Sequence, residues 1–558
     1  MTESTSLLDG LDAEQRVAAE TLLGPVCLLA GAGTGKTRAI THRIAYGVAA
    51  GVYPPNRVMA VTFTARAAGE LRSRLRALGA GSVSARTFHS AALSQLNFFW
   101  PQVVGGTMPR IADGKARILA HAADGLRLKL DTATLRDVAA EIEWRKVSRT
   151  SVDDYLTRGR PVPERLDLDK LGDLMRGYED LKDERRQLDF EDVLLAAAGM
   201  IESEPRVAQQ VREQYRFFVV DEYQDVSPLQ HDLLKLWLGE RSDLCVVGDA
   251  SQTIYSFAGA SPDYLLHFAS EFDQARVIRL EQNYRSSSAI VDAANRMMRG
   301  RPGALELRPA PEARGPVPSV ADHDDDRAEA RSVAAAVRAE IDAGTPPEAI
   351  AVLFRINVQS QVLEQAFTDA GVPFALRGAT RFFDRREIKE AILLLRGAAT
   401  TTAPGEPLFR PVSDVLRSIG WAQDAPQQPG AVRDRWESLD ALMKLADAAP
   451  AGTTVRQFVD ELLERQAGQH EPTTSTVTLA TLHSAKGLEW DSVYLVGLSE
   501  GLLPISYAQN EAAVEEERRL LYVGITRARR RLSLSWARSV LSGRGAARRA
   551  SRFLSDVR

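Results

Sequence analysis

Short apolar runs rich in β-branched and aromatic residues alternate along the chain with longer stretches of helical periodicity. Gly, Asp or Thr, which are candidates for ligand binding or catalysis, follow directly after several of these runs. The pattern predicts buried parallel strands joined by crossover helices, which is typical of an open α/β sheet. In the first half of the chain, strands are predicted at 26–29, 58–61, 217–220 and 244–247.

Two segments, at about 90–190 and 380–475, are mostly helical and have few strand signals. A link rich in Pro and Gly at 301–316 leads into a second α/β unit. Strands of that unit are predicted at 349–354, 477–480 and 492–496. The sequence therefore predicts an α/β fold of two parallel-sheet units, each interrupted by a helical insert.

The composition narrows the class of protein. The chain has 558 residues, 44% of them hydrophobic and 26% charged, which is typical of globular proteins of several domains. Lys plus Arg number 70 and Asp plus Glu number 74, so the formal net charge is −4. This balance excludes a globally basic nucleic-acid-binding surface, so nucleic acid could be bound only by a local set of residues.

The two cysteines, Cys27 and Cys245, exclude a disulfide framework and fit buried strand thiols. No apolar stretch approaches the ~18 residues that a membrane-spanning helix needs, and the N-terminus lacks a basic signal-peptide region. We therefore expect a cytoplasmic, nucleoid-associated protein with no membrane partner.

A glycine-rich segment at 30–37 follows the first predicted strand, with Ala30 in place of the usual first glycine. Glycines let backbone N–H groups approach phosphate oxygens, and the following helix N-terminus stabilises negative charge. We expect Lys36 to reach the β- and γ-phosphates and Thr37 to ligate Mg²⁺. The candidate phosphate-binding residues are Gly31, Ala32, Gly33, Thr34, Gly35, Lys36 and Thr37.

Two adjacent carboxylates, Asp221 and Glu222, follow the apolar strand predicted at 217–220. Asp221 suits the holding of Mg²⁺, and Glu222 suits the orientation or deprotonation of an attacking water. No His, Cys and Asp grouping has other metal-ligand spacing, so Mg²⁺ with ATP is the only metal expected. The two motifs together indicate a nucleoside triphosphate hydrolase, without indicating what the energy drives.

The acidic motif opens an ordered series that extends from Gln15 to Leu554: DEYQD at 221–225, NYRS at 283–286 and TRA at 526–528, among others. In this order the chain resembles the UvrD/PcrA/Rep family of superfamily 1A DNA helicases. The resemblance implies two RecA-like P-loop domains with helical inserts. The implied domains are 1–88 with 190–285, its insert 89–189, 286–380 with 475–558, and a shortened insert 381–474.

The resemblance also assigns roles to residues outside the phosphate loop. Gln15 would read adenine, although its segment equally fits a helix cap, and Tyr284 would stack on the base. Gln252 would sense the γ-phosphate, which Arg285 and Arg527 would contact, and Glu489 would contact the ribose. ATP is then expected in a cleft between the two α/β units that closes on binding and reopens on hydrolysis.

Scattered residues would form a track for single-stranded DNA. Aromatic faces stack on any base, so such a track tolerates any sequence. Each aromatic taken alone fits core packing better, and His89 and His483 equally fit structural histidines. The DNA contacts implied by the resemblance are Thr62, Phe63, Arg66, His89, Phe190, Tyr255, Phe257, Arg355, Asn357 and His483.

The chain departs from the family pattern in three places. Ala258 stands where the family commonly has Arg, which removes one charged contact beside the DNA aromatics. The segment 381–474 is short for the accessory domain, and the chain stops soon after Leu554, as in a minimal member or a truncated one. No acidic nuclease-like cluster follows the last motif.

The leading hypothesis is an ATP-dependent 3′-to-5′ single-stranded DNA translocase and helicase in repair or replication. Its partners would be single-stranded DNA, 3′-tailed duplexes and repair or replication proteins. The alternative is a DNA-dependent ATPase that displaces proteins and unwinds poorly without a partner or a further C-terminal module. A nucleotide-switched binding module is a third possibility, against which Glu222, Arg285 and Arg527 argue.

Overall fold

The computed structural model describes residues 6–130, 132–160, 162, 166–356, 359–377, 386–401, 406–424, 439–468 without 441, 444, 448 and 451, 475–506, 508–539 and 547–557. Two compact units make up this part of the chain. The first unit comprises Met1–Gly31, Gly35–Thr64 and Glu70–Leu280. The second comprises Ala32–Thr34, Ala65–Gly69 and Glu281–Arg558.

The strands of the first unit are β1 Val26–Ala30, β2 Val58–Thr62, β3 Ser84–Thr87, β4 Arg110–Ile111, β5 Gln187–Leu188, β6 Phe217–Val220, β7 Leu244–Gly248 and β8 Arg276–Leu280. All of them except β4 and β5 form a six-stranded parallel sheet in the order β3-β2-β6-β7-β1-β8. Its main helices are Ala13–Glu20, Lys36–Ala49, Ala65–Ala77, Phe88–Val103, Lys115–Gly125, Thr132–Val147, Val152–Thr157, Leu168–Glu184, Phe190–Ser203, Pro205–Gln214 and Pro228–Leu238.

Both faces of the sheet are covered, which explains why its interior strands are apolar without alternation. Met59, Val61 and Val220 belong to a core on one face, together with the helices Phe88–Val103 and Phe190–Ser203. Ala60 and Val219 belong to a second core on the other face. Alternate residues of β2 and β6 therefore anchor opposite layers, and the strands cannot slip by one residue without exposing both.

The helical insert of the first unit leaves and rejoins the sheet through a short parallel pair. Strands β4 and β5 pair with each other, and the insert lies between them in sequence. The insert has its own apolar core, which includes Val138, Ile142 and Tyr178. It is therefore a small separate layer that packs within the first unit.

The strands of the second unit are β9 Gln282–Asn283, β10 Arg308–Pro309, β11 Ser319–His323, β12 Ile350–Phe354, β13 Phe374–Arg377, β14 Val477–Thr481, β15 Trp490–Leu495 and β16 Ala528–Ala537. All of them except β9 and β10 form another six-stranded parallel sheet, in the order β11-β16-β15-β12-β14-β13. Its main helices are Ser288–Met298, Asp326–Asp342, Ser360–Asp369, Arg386–Thr401, Phe409–Ser418, Val455–Gly468 and Glu511–Ile525.

The segment predicted as the second insert has a core of its own where it is described. Leu395, Leu416 and Leu462 meet there, one from each of the helices Arg386–Thr401, Phe409–Ser418 and Val455–Gly468. The four-part domain division with its stated boundaries stays a prediction. The contacts group Glu281–Arg558 as the bulk of the second unit, so the first unit ends at Leu280 rather than residue 285 in this grouping.

The two parallel sheets confirm the predicted α/β class, and the seven predicted strands are all present, within two residues of their predicted ends. Five strands of the two six-stranded sheets were not predicted. Four of them, β3, β8, β11 and β13, are the edge strands of the two sheets. Edge strands are partly solvated and tolerate polar residues, so they lack the apolar run that identified the interior strands. The fifth, β16, is hidden by its Arg-rich start.

Arg43 ties the helix Ala13–Glu20 to the helix that follows the phosphate loop. Its side chain is 1% exposed and donates to the carbonyls of Ala18 at 2.8 Å, of Leu22 at 3.2 Å and of Thr21. These carbonyls lie at the C-terminal end of the first helix, where no intrahelical donor remains. One buried guanidinium thus serves three carbonyls at and just beyond this helix end.

We expect Arg43→Ala to lower the free energy of unfolding by about 2–4 kcal/mol, because it leaves buried carbonyls without donors. Urea unfolding followed by Trp fluorescence measures the loss. Exposed Arg57→Ala is the matched control and should change stability by less than about 0.5 kcal/mol. Equal stability of the two variants would contradict this role for Arg43.

Candidate functional site

The phosphate loop follows β1 and leads into the helix Lys36–Ala49. Gly33 and Gly35 have φ of +72° and +77°, in the left-handed region that favours glycine. A Cβ at Gly33 would lie 2.6 Å from Asn283 Nδ2, and that amide donates to the Ala32 carbonyl at 2.7 Å. The backbone conformation of the loop therefore requires glycine at positions 33 and 35.

Gln15 lies against this loop and also caps its own helix. Asp12 Oδ1 accepts from Gln15 N at 2.7 Å, and Gln15 Oε1 accepts from Asp12 N at 3.4 Å. A Cβ at Gly35 would lie 2.8 Å from Gln15 Nε2. The capping interpretation is thus correct, and the same side chain borders the loop. Its reading of adenine stays a prediction.

The paired acids stand at the carboxyl end of β6. Asp221 is buried, and its Oδ1 accepts from Glu222 N at 2.9 Å. Glu222 has φ of +54°, a left-handed conformation that is costly for a residue other than glycine. Lys36 Nζ lies 3.8 Å from Glu222 Oε1. The fold therefore holds the two carboxylates beside the loop lysine at the expense of local strain.

A buried network connects these acids with the end of β7. Gln224 Nε2 donates to Glu222 Oε2 at 2.5 Å, and Gln224 Oε1 accepts from Asp249 N at 3.0 Å. Asp249 Oδ2 in turn accepts from Gln252 Nε2 at 2.7 Å. The predicted γ-phosphate sensor, Gln252, is thus linked to the predicted water-orienting Glu222 through the side chain of Gln224 and through the backbone and side chain of Asp249.

Three carboxyl groups, those of Asp221, Glu222 and Asp249, lie near Lys36 at this edge of the sheet. Burial and the neighbouring Glu222 raise the pKa of Asp221 to about 7, with Lys36 acting in the opposite direction. Burial also raises the pKa of Asp249, again opposed by Lys36. Because burial disfavours the charged form of Asp221, an added cation such as Mg²⁺ would stabilise that form.

Among the residues that the structure describes, no three His, Cys, Asp or Glu side chains are arranged to hold a metal ion by themselves. Mg²⁺ in nucleotide sites is commonly held by one or two carboxylates together with phosphate oxygens. The acids of the first unit therefore fit a cation that arrives with a polyphosphate.

A second polar group, of arginines and one glutamate, lies within the second unit. Arg285 forms an ion pair with Glu489, and its Nη1 donates to the Thr526 carbonyl at 3.3 Å. Glu489 also pairs with Arg529. Burial alone would raise the pKa of Glu489, but Arg285 and Arg529 hold it below its usual range. This carboxylate is therefore ionised.

Arg527 is buried within the same unit. Its Nε donates to the Val523 carbonyl at 2.9 Å, and its Nη1 donates to the Leu488 carbonyl at 3.2 Å. Tyr284, by contrast, has a largely exposed side chain, and its backbone N–H donates to the Gly33 carbonyl at 2.9 Å. The predicted base-stacking residue is thus solvent-exposed next to the loop segment grouped with its unit.

Exposed aromatic rings gather in the first unit. Phe63 and Tyr255 are stacked with centroids 6.0 Å apart, and Phe257 meets Tyr255 edge-on at 6.1 Å. The side chains of Phe63, Phe190 and Phe257 are 41%, 58% and 64% exposed. Exposed apolar rings of this kind are candidates for base stacking. His89 lies edge-on to Phe190 at 5.6 Å.

Other predicted DNA contacts have different surroundings. Thr62 is fully buried, and its hydroxyl has no hydrogen-bond partner among the described residues. Arg355 makes a bidentate ion pair with buried Glu517, with Nη2 2.7 Å from Oε1. Burial lowers the pKa of His483 to about 4, helped by Arg355. Arg66 is half-buried. Asn357 lies outside the described residues. All five assignments stay predictions.

Two protein-family models match this chain. The model of the UvrD/REP helicase N-terminal domain matches residues 11–273, and the model of the UvrD-like helicase C-terminal domain matches residues 278–423 and 408–539. The ATP-dependent DNA helicase UvrD2 of Mycobacterium tuberculosis is 47% identical over 99% of this chain and 82% of its own length. The chain belongs to the UvrD/REP helicase family.

More distant members of the family are similar over the same extent. DNA helicase II of Escherichia coli and the ATP-dependent DNA helicase PcrA of Bacillus subtilis are each 29% identical over 99% of this chain. The similarity covers 88% and 86% of their own lengths. The family resemblance inferred from the ordered motifs is therefore confirmed.

Gln224 and Asp249 were not assigned a role from the sequence of this UvrD/REP-family chain. Asp249 follows an apolar strand in the same way as Asp221, so the rule that strand ends gather at one sheet edge could have identified it. Gln224 gives no comparable signal, because its importance comes from partners 2 and 25 residues away in sequence.

Among the residues that the structure describes, no helix combines the length and the apolarity that crossing a membrane requires.

His89 yields a prediction about acid stability. Burial and nearby Lys115 lower its pKa to about 4, so the folded state keeps the ring neutral. The unfolded chain binds a proton below about pH 6.5, so stability is lost as the pH falls from about 6.5 towards 4. We expect His89→Gln to reduce the stability loss between pH 7 and pH 5 by about 1–2 kcal/mol.

Urea unfolding of both proteins at the two pH values measures this difference. Exposed His267→Gln is the control and should keep the pH dependence of the parent. If His89→Gln and the parent lose equal stability on acidification, the histidine does not resist protonation in the fold.

Proposed function

We propose that this chain is an ATP-driven motor that moves 3′-to-5′ along single-stranded DNA and unwinds duplexes in repair or replication. The observation that carries the proposal lies within the first unit. Gln252 bonds into the buried acid network, and Tyr255 and Phe257, which belong to the aromatic cluster, follow within five residues. One short segment thus joins a nucleotide-type acid site to a base-stacking surface.

For ATP, Lys36 would neutralise the β- and γ-phosphates, and the loop backbone would bind their oxygens. Thr37 and Asp221 would hold Mg²⁺, which supplies charge neutralisation of the triphosphate when bound. The raised pKa of Asp221 supports this assignment, because a group with too little cationic compensation gains most from a cation. Gln15 and Tyr284 would bind adenine, and Glu489 would contact the ribose.

For hydrolysis, Glu222 would orient or deprotonate the attacking water, and Gln252 would respond to the γ-phosphate. Gln224 holds one oxygen of Glu222 and leaves the other facing Lys36. Arg285 and Arg527 would supply positive charge to the transferring phosphoryl group, a task that suits delocalised guanidinium charge. Arg285 would exchange its Glu489 pairing for phosphate in that role.

A second candidate is a motor that displaces proteins from DNA and unwinds poorly alone. Ala258, which stands where the family commonly has Arg, favours it. This residue ends the turn Ser256–Ala258 directly after the exposed Phe257, so the turn carries an apolar ring and no charged side chain of its own. Weaker phosphate contact there would loosen the coupling between DNA and ATP turnover.

The test is ATP hydrolysis with and without single-stranded DNA, followed by unwinding of 3′-tailed and 5′-tailed duplexes. We expect DNA to stimulate turnover and the 3′ tail alone to support unwinding. Lys36→Ala should reduce turnover at least about 100-fold, because the phosphates lose their point charge. Normal turnover in that variant would refute the site. Stimulation without unwinding would favour the protein-displacing motor, and unwinding only from a 5′ tail would refute the polarity.

Phe63→Ala should weaken DNA stimulation more than basal hydrolysis. Loss of one stacking face costs about 1–3 kcal/mol, so the DNA concentration for half-maximal stimulation should rise about 5-fold or more. Phe98→Ala removes a comparably exposed ring on the helix Phe88–Val103 and should leave this concentration unchanged. An equal fall in basal and stimulated turnover on loss of Phe63 would make it a structural residue instead.

A further inference from the structure

One end of the insert helix Thr132–Val147 reaches the segments that carry two of the exposed aromatic rings. Lys146 is buried there, with Nζ 2.8 Å from Asp189 Oδ2 and 2.6 Å from Asp192 Oδ1. These two carboxylates form the capping box of the helix Phe190–Ser203. The first residue of that helix is the exposed Phe190.

The capping box is held by a charge-balanced network. Lys182 lies 3.2 Å from Asp189 and also pairs with Asp192, while Tyr178 donates its hydroxyl to Asp189 at 2.8 Å. Burial alone would raise the pKa of Asp189, but Lys146 and Lys182 hold it well below its usual range. The carboxylate therefore stays ionised at neutral pH, and the start of the Phe190 helix is fixed to the insert.

The next residue of the same helix end contacts the other aromatic turn. Gly259 follows the turn Ser256–Ala258 that carries Phe257, and its φ is +88°. A Cβ at Gly259 would lie only 2.6 Å from Val147 Cγ2. The backbone of the turn thus approaches the valine as closely as glycine allows, and Val147 limits where the turn can stand.

We propose that Lys146 and Val147 are positioning residues that set Phe190 and Phe257 for stacking on single-stranded DNA. This inference rests on the proposed function, because it concerns how the same DNA surface is aligned. One helical turn of the insert holds both ring-bearing segments, Phe190 through charge and Phe257 through van der Waals contact. Any displacement of the insert would therefore move both rings together.

An effect on ring position must be separated from a general loss of insert stability. Val138 lies on the same helix and is fully buried in the insert core. Val138→Ala removes the same two methyl groups as Val147→Ala and should cost more stability, because a buried cavity remains. It touches neither aromatic segment in the contacts described above, so it provides a matched control for insert stability.

The experiment uses the full chain and measures basal turnover and the oligothymidylate concentration that gives half-maximal stimulation of ATP hydrolysis. The variants are Val147→Ala, Lys146→Met and Val138→Ala, with Val147→Ala repeated in Phe257→Ala and Lys146→Met repeated in Phe190→Ala. We expect Val147→Ala and Lys146→Met each to raise this concentration about 3- to 10-fold, part of one stacking contact. Basal turnover should stay within about twofold, and Val138→Ala should stay near the parent.

The double variants test whether each positioning residue acts through its aromatic ring. If Val147 acts through Phe257, Val147→Ala should add less than about twofold once that ring is absent, and the same holds for Lys146 and Phe190. Full additivity in the double variants, or an equal effect of Val138→Ala, would overturn the inference. Since Lys146→Met can fail to fold, the Val147 pair decides by itself. A parent protein without DNA stimulation would instead refute the proposed function.

Discussion

The burial of carboxyl groups at the carboxyl edge of the first sheet is the constraint on which the candidate site depends. Asp221, Glu222 and Asp249 converge there, and Lys36 acts on all three. Gathering carboxylates away from water is costly unless cations or hydrogen bonds compensate. The parallel sheet enforces the convergence, because every strand delivers its last residue to the same edge.

In the proposed motor, the same edge would link the nucleotide state to the candidate DNA-binding rings. The segment from Asp249 to Phe257 starts in the acid network and ends in exposed rings. Gln224 fastens the start of this segment to Glu222, and a Cβ at Gly248 would collide with Gln224 Oε1 at 2.5 Å. In the proposed motor, a change at Glu222 would reach Tyr255, which stacks on Phe63, along a short backbone path.

The sequence predicted what depends on local pattern and order. Seven of the eight interior strands of the two six-stranded sheets were predicted because buried strands are apolar, and the candidate phosphate loop was proposed because phosphate binding needs glycine. The edge strand β8 was missed because exposed Arg276 and Arg279 interrupt its apolar run. The ion pair of Arg355 with Glu517 could not be predicted, since the two residues are 162 positions apart and either alone fits a solvated surface.

The first unit compensates buried charge in two contrasting ways, and the contrast suits a motor. In the insert, Glu179, Asp189 and Asp192 face three cations, Arg145, Lys146 and Lys182. A balanced and hydrogen-bonded network of this kind holds its geometry without any ligand. At the sheet edge, burial disfavours the charged forms of Asp221 and Asp249, so added positive charge would stabilise these carboxylates. In the proposed motor, cation and nucleotide would therefore act at the sheet edge, while the balanced network would hold the aromatic segments in place.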